Sequence, residues 1–478
     1  VFGVSEWSAR LGPAVSGLLT ITAVWWIARR VERANVNVSS DAELGGLSFW
    51  STLAVGTTAG ILIFSRAASF DIVITMTLAW TLAFFLAAEL EESAQRQWRL
   101  LAGFYVFVGL SLLAKGLIGI IIPAGIVGAY YLLRLRAPQR RVILSLVWGL
   151  PLSVLVAAAW YAPMIWRHGW YFIDQFFVQH HFARYLTPKY HHPAPVYYYL
   201  LVFASLMLPW SAFAIHGILK ALKGLRQRDD ASRNDPANKF RVFAAVWVLL
   251  PLVFFSLSSS KLAGYILPVI PAAVLLVGER LTRVRVDHAG GRAAIRISAA
   301  FSVILAGVVF LVVGRSGMLA PVCVWLIMTV LVATGVFGLV WARRGTAFAL
   351  ITAGTTLGLV LILSFCGAVK LAERESSKQL LELAAARGYS QATVYGLQRS
   401  DRSPEFYAAG RVAYDADGEA TKYEGVGQIV WESRRRQAVI LTFVPDGEVN
   451  QFTQLTDAYV DVIGSNGVFT LVAVGPPR

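Results

Sequence analysis

The sequence has only two cysteines, Cys323 and Cys366, and both lie inside apolar runs. Two such residues supply neither zinc-ligand spacing nor a disulfide framework, and each thiol is expected to behave as a small hydrophobe. Charge is scarce too: Asp, Glu, Lys and Arg make up 15% of the chain against 56% hydrophobic residues, so one soluble core cannot hide the apolar surface. No P-loop, dinucleotide fingerprint, low-complexity segment or internal repeat occurs. Chemistry built on a soluble nucleotide is therefore not expected. The chain opens at Val1, without the basic and apolar regions of a signal peptide.

What the sequence has is a series of apolar stretches, each close to the roughly 20 residues that cross about 30 Å of hydrocarbon. They predict about twelve spanning helices, near residues 11–28, 46–65, 72–89, 100–114, 117–133, 142–165, 195–215, 242–257, 265–278, 297–314, 319–341 and 346–367. The net charge of +15 does not point to nucleic acid, because the basic residues fall in short clusters between apolar runs. Every second loop is basic, as with Arg29, Arg30 and Arg33, or Arg134, Arg136, Arg140 and Arg141. Such loops belong on the cytoplasmic side. The alternate loops, at 66–71, near 115, 166–194, 258–264 and 315–318, then lie outside together with the tail after 370.

The few basic residues of these outer loops run against the trend: Arg66, Lys115, Arg167, Arg184, Lys189, Lys261 and Arg315. Lys261 stands out, in Ser256-Leu257-Ser258-Ser259-Ser260-Lys261-Leu262-Ala263-Gly264-Tyr265 between two apolar runs. An ammonium near hydrocarbon either snorkels to the interface or faces an anion or a polar cavity. Arg66 and Lys115 sit in loops of a few residues, at the depth of a lipid phosphate. Segment 166–194 is aromatic and carries five of the seven histidines, which suits an interfacial helix. In it His181 and Arg184, three apart, would share one helical face and could bind one anion. The adjacent His191 and His192 make a poor pair of ligands for a single ion, so a metal site is left unknown. Among the scarce outer carboxylates Asp71 heads the third crossing, either as an ordinary helix-terminal acid or as a balancing charge beside Arg66, Lys115 and Lys261. Asp174 is a second candidate.

Past residue 370 the composition becomes that of a soluble protein. A helix is expected at 377–387, strands at Ala392–Leu397, Phe406–Tyr414, Ala438–Val444 and 458–474, and turns at Asp446-Gly447 and Asn466-Gly467. The fold class is therefore an α-helical polytopic membrane protein with a small C-terminal α/β extracytoplasmic domain, divided as 1–369 and 370–478.

Several stretches together resemble one family: Phe2-Gly3-Val4-Ser5-Glu6-Trp7-Ser8-Ala9-Arg10-Leu11-Gly12; Arg66 to Asp71; Leu113-Ala114-Lys115-Gly116; His181 to Arg184; Tyr197 to Trp210 with its Leu208-Pro209-Trp210; and Ser256 to Pro268. In order and content they are similar to the bacterial C-type glycosyltransferases that use polyprenyl-phosphate sugars, of the aminoarabinose lipid A transferase and protein O-mannosyltransferase type. The resemblance implies an inverting transferase in the bacterial inner membrane that works on its outer face. Its donor would be a polyprenyl-phosphate-linked sugar and its acceptor a lipid, glycan or protein. It implies that Lys115, Arg184, Lys261 and Arg66 bind the donor phosphate, that His181 and Tyr265 line the cavity, and that Asp71 is a second acid near the site. No cofactor is certain, and a divalent metal is left open.

In that family the principal catalytic acid sits in the first outer loop, and the stretch from Phe2 resembles the family's segment immediately after that loop. The expectation is an N-terminally truncated chain, about thirteen crossings when intact, whose main acid lies upstream and which is inactive on its own. A secondary transporter or lipid flippase, or a non-catalytic relative, is the alternative reading of the same spans and charges.

Overall fold

The computed structural model describes residues 5–34, 45–174, 176, 194–224, 235–283, 290–316, 319–367, 376–397, 402–408, 410–415, 418–454 and 458–477. Helices α1 (Glu6–Ala34), α4 (Asp71–Leu90), α5 (Ala94–Lys115), α7 (Arg140–Ile173) and α10 (Pro236–Ser256) are each long and apolar enough to cross a membrane. So is the 3-10 segment Ala263–Val269 taken with α11 (Ile270–Thr282), and so are α12 (Gly290–Ser316), α13 (Pro321–Val340) and α14 (Gly345–Cys366). These are nine among the described residues. Helices α8 (Tyr198–Leu206) and α9 (Ser211–Gly224) form a broken tenth, bent by 117°. The shorter α2 (Leu47–Gly56), followed by α3 (Ala59–Phe64), and α6 (Ile118–Arg134) fill the two remaining expected positions. The chain is a multi-pass helical membrane protein.

Two of the expected continuous spans are in fact interrupted, and the interruptions support each other. The break at Thr57-Thr58 between α2 and α3 faces the turn between α8 and α9. There the Ala59 N–H donates to the Leu208 carbonyl at 2.8 Å, and the Trp210 indole donates to Thr57 Oγ1 at 3.0 Å. Backbone groups freed inside hydrocarbon must find partners within the protein, and this pairing supplies them.

The chain divides into two compact units, one of Glu6–Gly307 with Met328–Gly358, the other of Val308–Ile327 with Leu359–Arg478. In the first, nearly every residue of α11 and its 3-10 lead-in is buried, and they form the centre against which α2, α9 and α10 pack. Helix α4 is the second buried rod, flanked by α1 and α5. Helix α7 lies close on α5 because Gly109 leaves room: a Cβ there would stand 2.7 Å from the Ser153 carbonyl. The Ser153 hydroxyl in turn donates to the Tyr105 carbonyl at 2.7 Å. Small residues and hydroxyls replace the hydrophobic effect as the source of helix association in lipid.

The other unit contains the C-terminal sheet, with strands β1 (Thr393–Leu397), β2 (Lys422–Tyr423), β3 (Ile440–Pro445), β4 (Tyr459–Ser465) and β5 (Phe469–Gly475) in the order β2-β1-β3-β5-β4. The first three neighbours are parallel and β5 runs antiparallel to both β3 and β4. Residues of β3 are buried on both faces, as a central strand requires. Leu441 and Phe443 meet Leu380, Leu381 and Ala384 of α15 (Lys378–Ala386), while Ile440 and Val444 meet Ile429 and Val430 of the helix Val426–Arg436. One expectation fails here. Phe406 belongs to a short helix, α16 (Arg402–Tyr407), and only single bridges at Val412 and Tyr414 are strand-like. The helix Val426–Arg436, α17, was not anticipated.

The two cysteines also depart from expectation, since Cys323 and Cys366 are disulfide-bonded rather than separate thiols. Cys323 lies at the start of α13 and Cys366 at the end of α14, so an antiparallel hairpin sets them opposite each other.

Candidate functional site

Three loops that the charge alternation assigns to the outer side converge at one end of the first unit. Asp71 begins α4, where the helix dipole favours a carboxylate. Ser69 fixes it: its hydroxyl accepts the Asp71 N–H and donates to Asp71 Oδ2, both at 3.1 Å. Lys115 ends α5, which Gly116 terminates with a positive φ of 62°. The Lys115 ammonium is ion-paired with Asp71 Oδ1 and lies 4.6 Å from the ring centre of Tyr265, a cation–π distance. Tyr265 comes from the 3-10 segment before α11.

The backbone beside Tyr265 is held equally closely. A Cβ built on Gly264 would overlap the Asp71 carboxylate, so only glycine lets this segment approach. The Tyr199 hydroxyl on α8 donates to the Leu262 carbonyl at 3.1 Å and accepts the Leu262 N–H at 3.2 Å. Ser69, Tyr199 and Gly264 are thus supporting residues that the sequence reading does not single out. Gly264 alone carried a signal, as the small residue of Leu262-Ala263-Gly264-Tyr265, but what it faces is not readable from the chain.

Lys261 is three residues from Gly264 and 8% exposed, yet its ammonium turns back to donate to the Ser258 carbonyl of its own loop at 2.7 Å. Arg66 is exposed in the turn between α3 and α4. Asp174 stands at the end of α7 and Arg315 near the end of α12. His181, Arg184, Lys189, His191 and His192 lie outside the described residues. Among the described residues no three His, Cys, Asp or Glu side chains gather as a metal site would require.

The Lys115–Asp71 pair is partly open, with side chains 30% and 22% exposed. Asp71, Lys115 and Tyr265 therefore meet at one partly open corner of this unit.

The family model of dolichyl-phosphate-mannose-protein mannosyltransferases matches residues 1–166. The undecaprenyl phosphate-alpha-4-amino-4-deoxy-L-arabinose arabinosyl transferase of Erwinia tasmaniensis is 29% identical over 328 residues, 66% of this chain and 54% of the relative. The likeness is to transferases of polyprenyl-phosphate-linked sugars. The equivalent transferase of Yersinia enterocolitica is 29% identical over 59% of this chain and 47% of its own length. The chain thus spans about half the length of these relatives. In fold it is similar to ArnT from Cupriavidus metallidurans, solved bound to undecaprenyl phosphate, with a TM-score of 0.74 and 21% identity over 99% of this chain and 85% of that one. The apo form of the same protein gives 0.72.

Proposed function

We propose that the family's chemistry takes place at this outer corner: transfer of a sugar from a polyprenyl-phosphate donor to a lipid, glycan or protein acceptor at the outer face of the bacterial inner membrane. The relatives named above act from undecaprenyl phosphate, which favours a lipid-linked donor of that kind. The observation that carries the reading is Lys115, held between Asp71 and the face of Tyr265.

In the reaction an acceptor hydroxyl gives its proton to a carboxylate base and attacks the anomeric carbon as the bond to the phosphate oxygen breaks, with inversion and with the bonding electrons leaving on the phosphate. Negative charge grows on the leaving phosphate, and a preorganised cation lowers the barrier by stabilising it. Lys115 takes that role. Asp71 is the secondary acid, which positions the ammonium before the donor arrives. Tyr265 walls the pocket. Arg66 and Lys261 supply further positive charge along the path of the phosphate, and the resemblance adds Arg184 as a phosphate ligand and His181 as a lining residue.

Residues 1–369 would carry the transferase and 370–478 the extracytoplasmic α/β domain. The Cys323–Cys366 disulfide supports that side, because such bonds persist in oxidising compartments and these ends of α13 and α14 precede the domain.

Binding of undecaprenyl phosphate to the purified chain in nanodiscs is the test. Lys115→Gln should weaken it about tenfold to a hundredfold, the worth of a hydrogen bond to a charged group. Binding unaltered by both Lys115→Gln and Lys261→Gln would remove the phosphate site from this corner. Substrate flux across sealed vesicles would favour a transporter instead.

A further inference from the structure

A cavity whose lining includes none of Asp71, Lys115 and Tyr265 runs along α6, from Ile120 in its first turn to Arg136 beyond its last. It measures about 660 Å3 and is lined by residues including Tyr105, Val108, Pro123, Gly128, Tyr131 and Arg136. Ligand pockets commonly fall between about 300 and 1,000 Å3. The cavity lies over α5, on which both α6 and α7 pack.

Three features say what enters it. Its wall is almost wholly apolar, with Arg136 the one charged residue lining it. Its rim includes Leu132 of α6, Leu135 just after it, and Leu146 and Leu150 of α7, all exposed, so the opening faces the hydrocarbon rather than water. Arg136 and Pro138 also line it, and both belong to the Arg-rich loop between α6 and α7, on the cytoplasmic side by charge alternation. A ligand that slides in from the bilayer and carries one anionic group at its cytoplasmic end fits all three. Basic pockets between membrane helices on this side are known to hold anionic lipid headgroups.

We infer that this cavity binds an anionic glycerophospholipid of the cytoplasmic leaflet, with an acyl chain between α6 and α7 and the phosphate on Arg136. The tail of a donor held at Lys115 is a poorer occupant. Leu101, another lining residue, is fourteen positions before Lys115 on α5, about 21 Å along the axis. A tail descending that far brings no second anion to Arg136. The inference does not depend on the transferase reading, since it uses neither Asp71 nor Lys115.

Native mass spectrometry of the full chain, with phosphatidylglycerol or phosphatidylcholine of the same acyl chains, tests it. The unmodified chain should retain phosphatidylglycerol at least tenfold better. Arg136→Gln, an exposed position expected to fold, should abolish that preference. Gly128→Leu should reduce retention of both lipids at least fivefold, because a Cβ at Gly128 meets nothing within 4 Å and the new side chain projects into open space. A preference that survives Arg136→Gln, retention that survives Gly128→Leu, or displacement of phosphatidylglycerol by added undecaprenyl phosphate would each overturn the assignment.

Discussion

Helix α4 carries a carboxylate near each end, and the two are used in opposite ways. Asp71 begins the helix and meets Lys115 in a pair left partly open, whereas Glu89, one residue before the other end, meets Arg134 with side chains only 4% and 6% exposed. Glu89 is also enclosed: it accepts from Arg134 at 3.3 Å and from the Tyr131 hydroxyl at 2.8 Å, and Arg134 donates to Tyr130 at 2.8 Å. A buried pair enclosed by its own hydrogen-bond partners fastens helices together. A pair that retains exposure and an aromatic neighbour can receive a ligand. Ion pairs of similar composition thus separate into structural and functional by how far each stays open to solvent.

Breaking the buried pair should have the largest effect. Arg134→Met strands a carboxylate among apolar helices and should cost about 3–5 kcal/mol, while Glu89→Leu with Arg134→Met together should recover most of it. Thermal melting of the three proteins in one detergent measures this. A single variant as stable as the parent would show that the inner pair is not a fastener.

Gly264→Ala comes next. The added methyl must displace the Asp71 carboxylate or the 3-10 segment, at about 1–3 kcal/mol, the usual cost of overpacking. Because the displacement also disturbs Lys115, affinity for a polyprenyl phosphate should fall with the melting temperature. A loss of stability at unchanged affinity would separate Gly264 from the corner.

Lys115→Gln should give the reverse pattern, with under about 1 kcal/mol of stability lost at a partly exposed pair. If melting shows a loss as large as that of Arg134→Met, the outer pair is structural too and the contrast along α4 disappears.

These contrasts were partly legible in the sequence. Hydropathy marked every span, because crossing hydrocarbon demands a length that few other pressures produce. Charge alternation placed loops 66–71, near 115 and 258–264 on one side, and the structure brings Asp71, Lys115 and Tyr265 of those stretches together. Lys261 did not follow, because its ammonium turns back to a backbone carbonyl three residues away, and such a local partner has no sequence signature. The break at Thr57-Thr58 escaped for a similar reason: it is stable only because Leu208 and Trp210 answer it from a distant helix pair. The cysteine pairing needed the register of two helices. In the C-terminal domain, α16 was missed although Pro404 sits in its first turn, where proline is favoured. The spacing of Val426, Ile429 and Val430, at i, i+3 and i+4, was the unread signal of α17.

The same contrast can be sharpened in water. Glu432 on α17 is 1% exposed and accepts from Arg435 at 2.8 and 2.9 Å, from Arg436 at 2.6 Å and from the Tyr395 hydroxyl at 3.1 Å. The Arg435 hydrogen bonds, followed by those of Arg436 and Tyr395, hold its carboxyl down to about 2 against burial, which opposes them. The folded value lies below the unfolded one, near 4.5, so the unfolded chain binds more protons between them and stability rises with pH across that interval. The contribution of Glu432 is therefore fully present above about pH 5 and fades as pH falls toward 2. Hydrogen exchange of the full chain, corrected for intrinsic rates, should show protection of α17 and β1 declining between about pH 5 and 3. Glu432→Gln should lower protection at pH 7 by about 1–2 kcal/mol, near the lower end for hydrogen bonds to a charged group because both arginines are half in solvent, and it should flatten the pH dependence. Equal pH dependence in the two proteins would mean that this carboxylate, unlike Glu89, fastens nothing, and that burial without a low-dielectric surrounding is insufficient to make an ion pair structural.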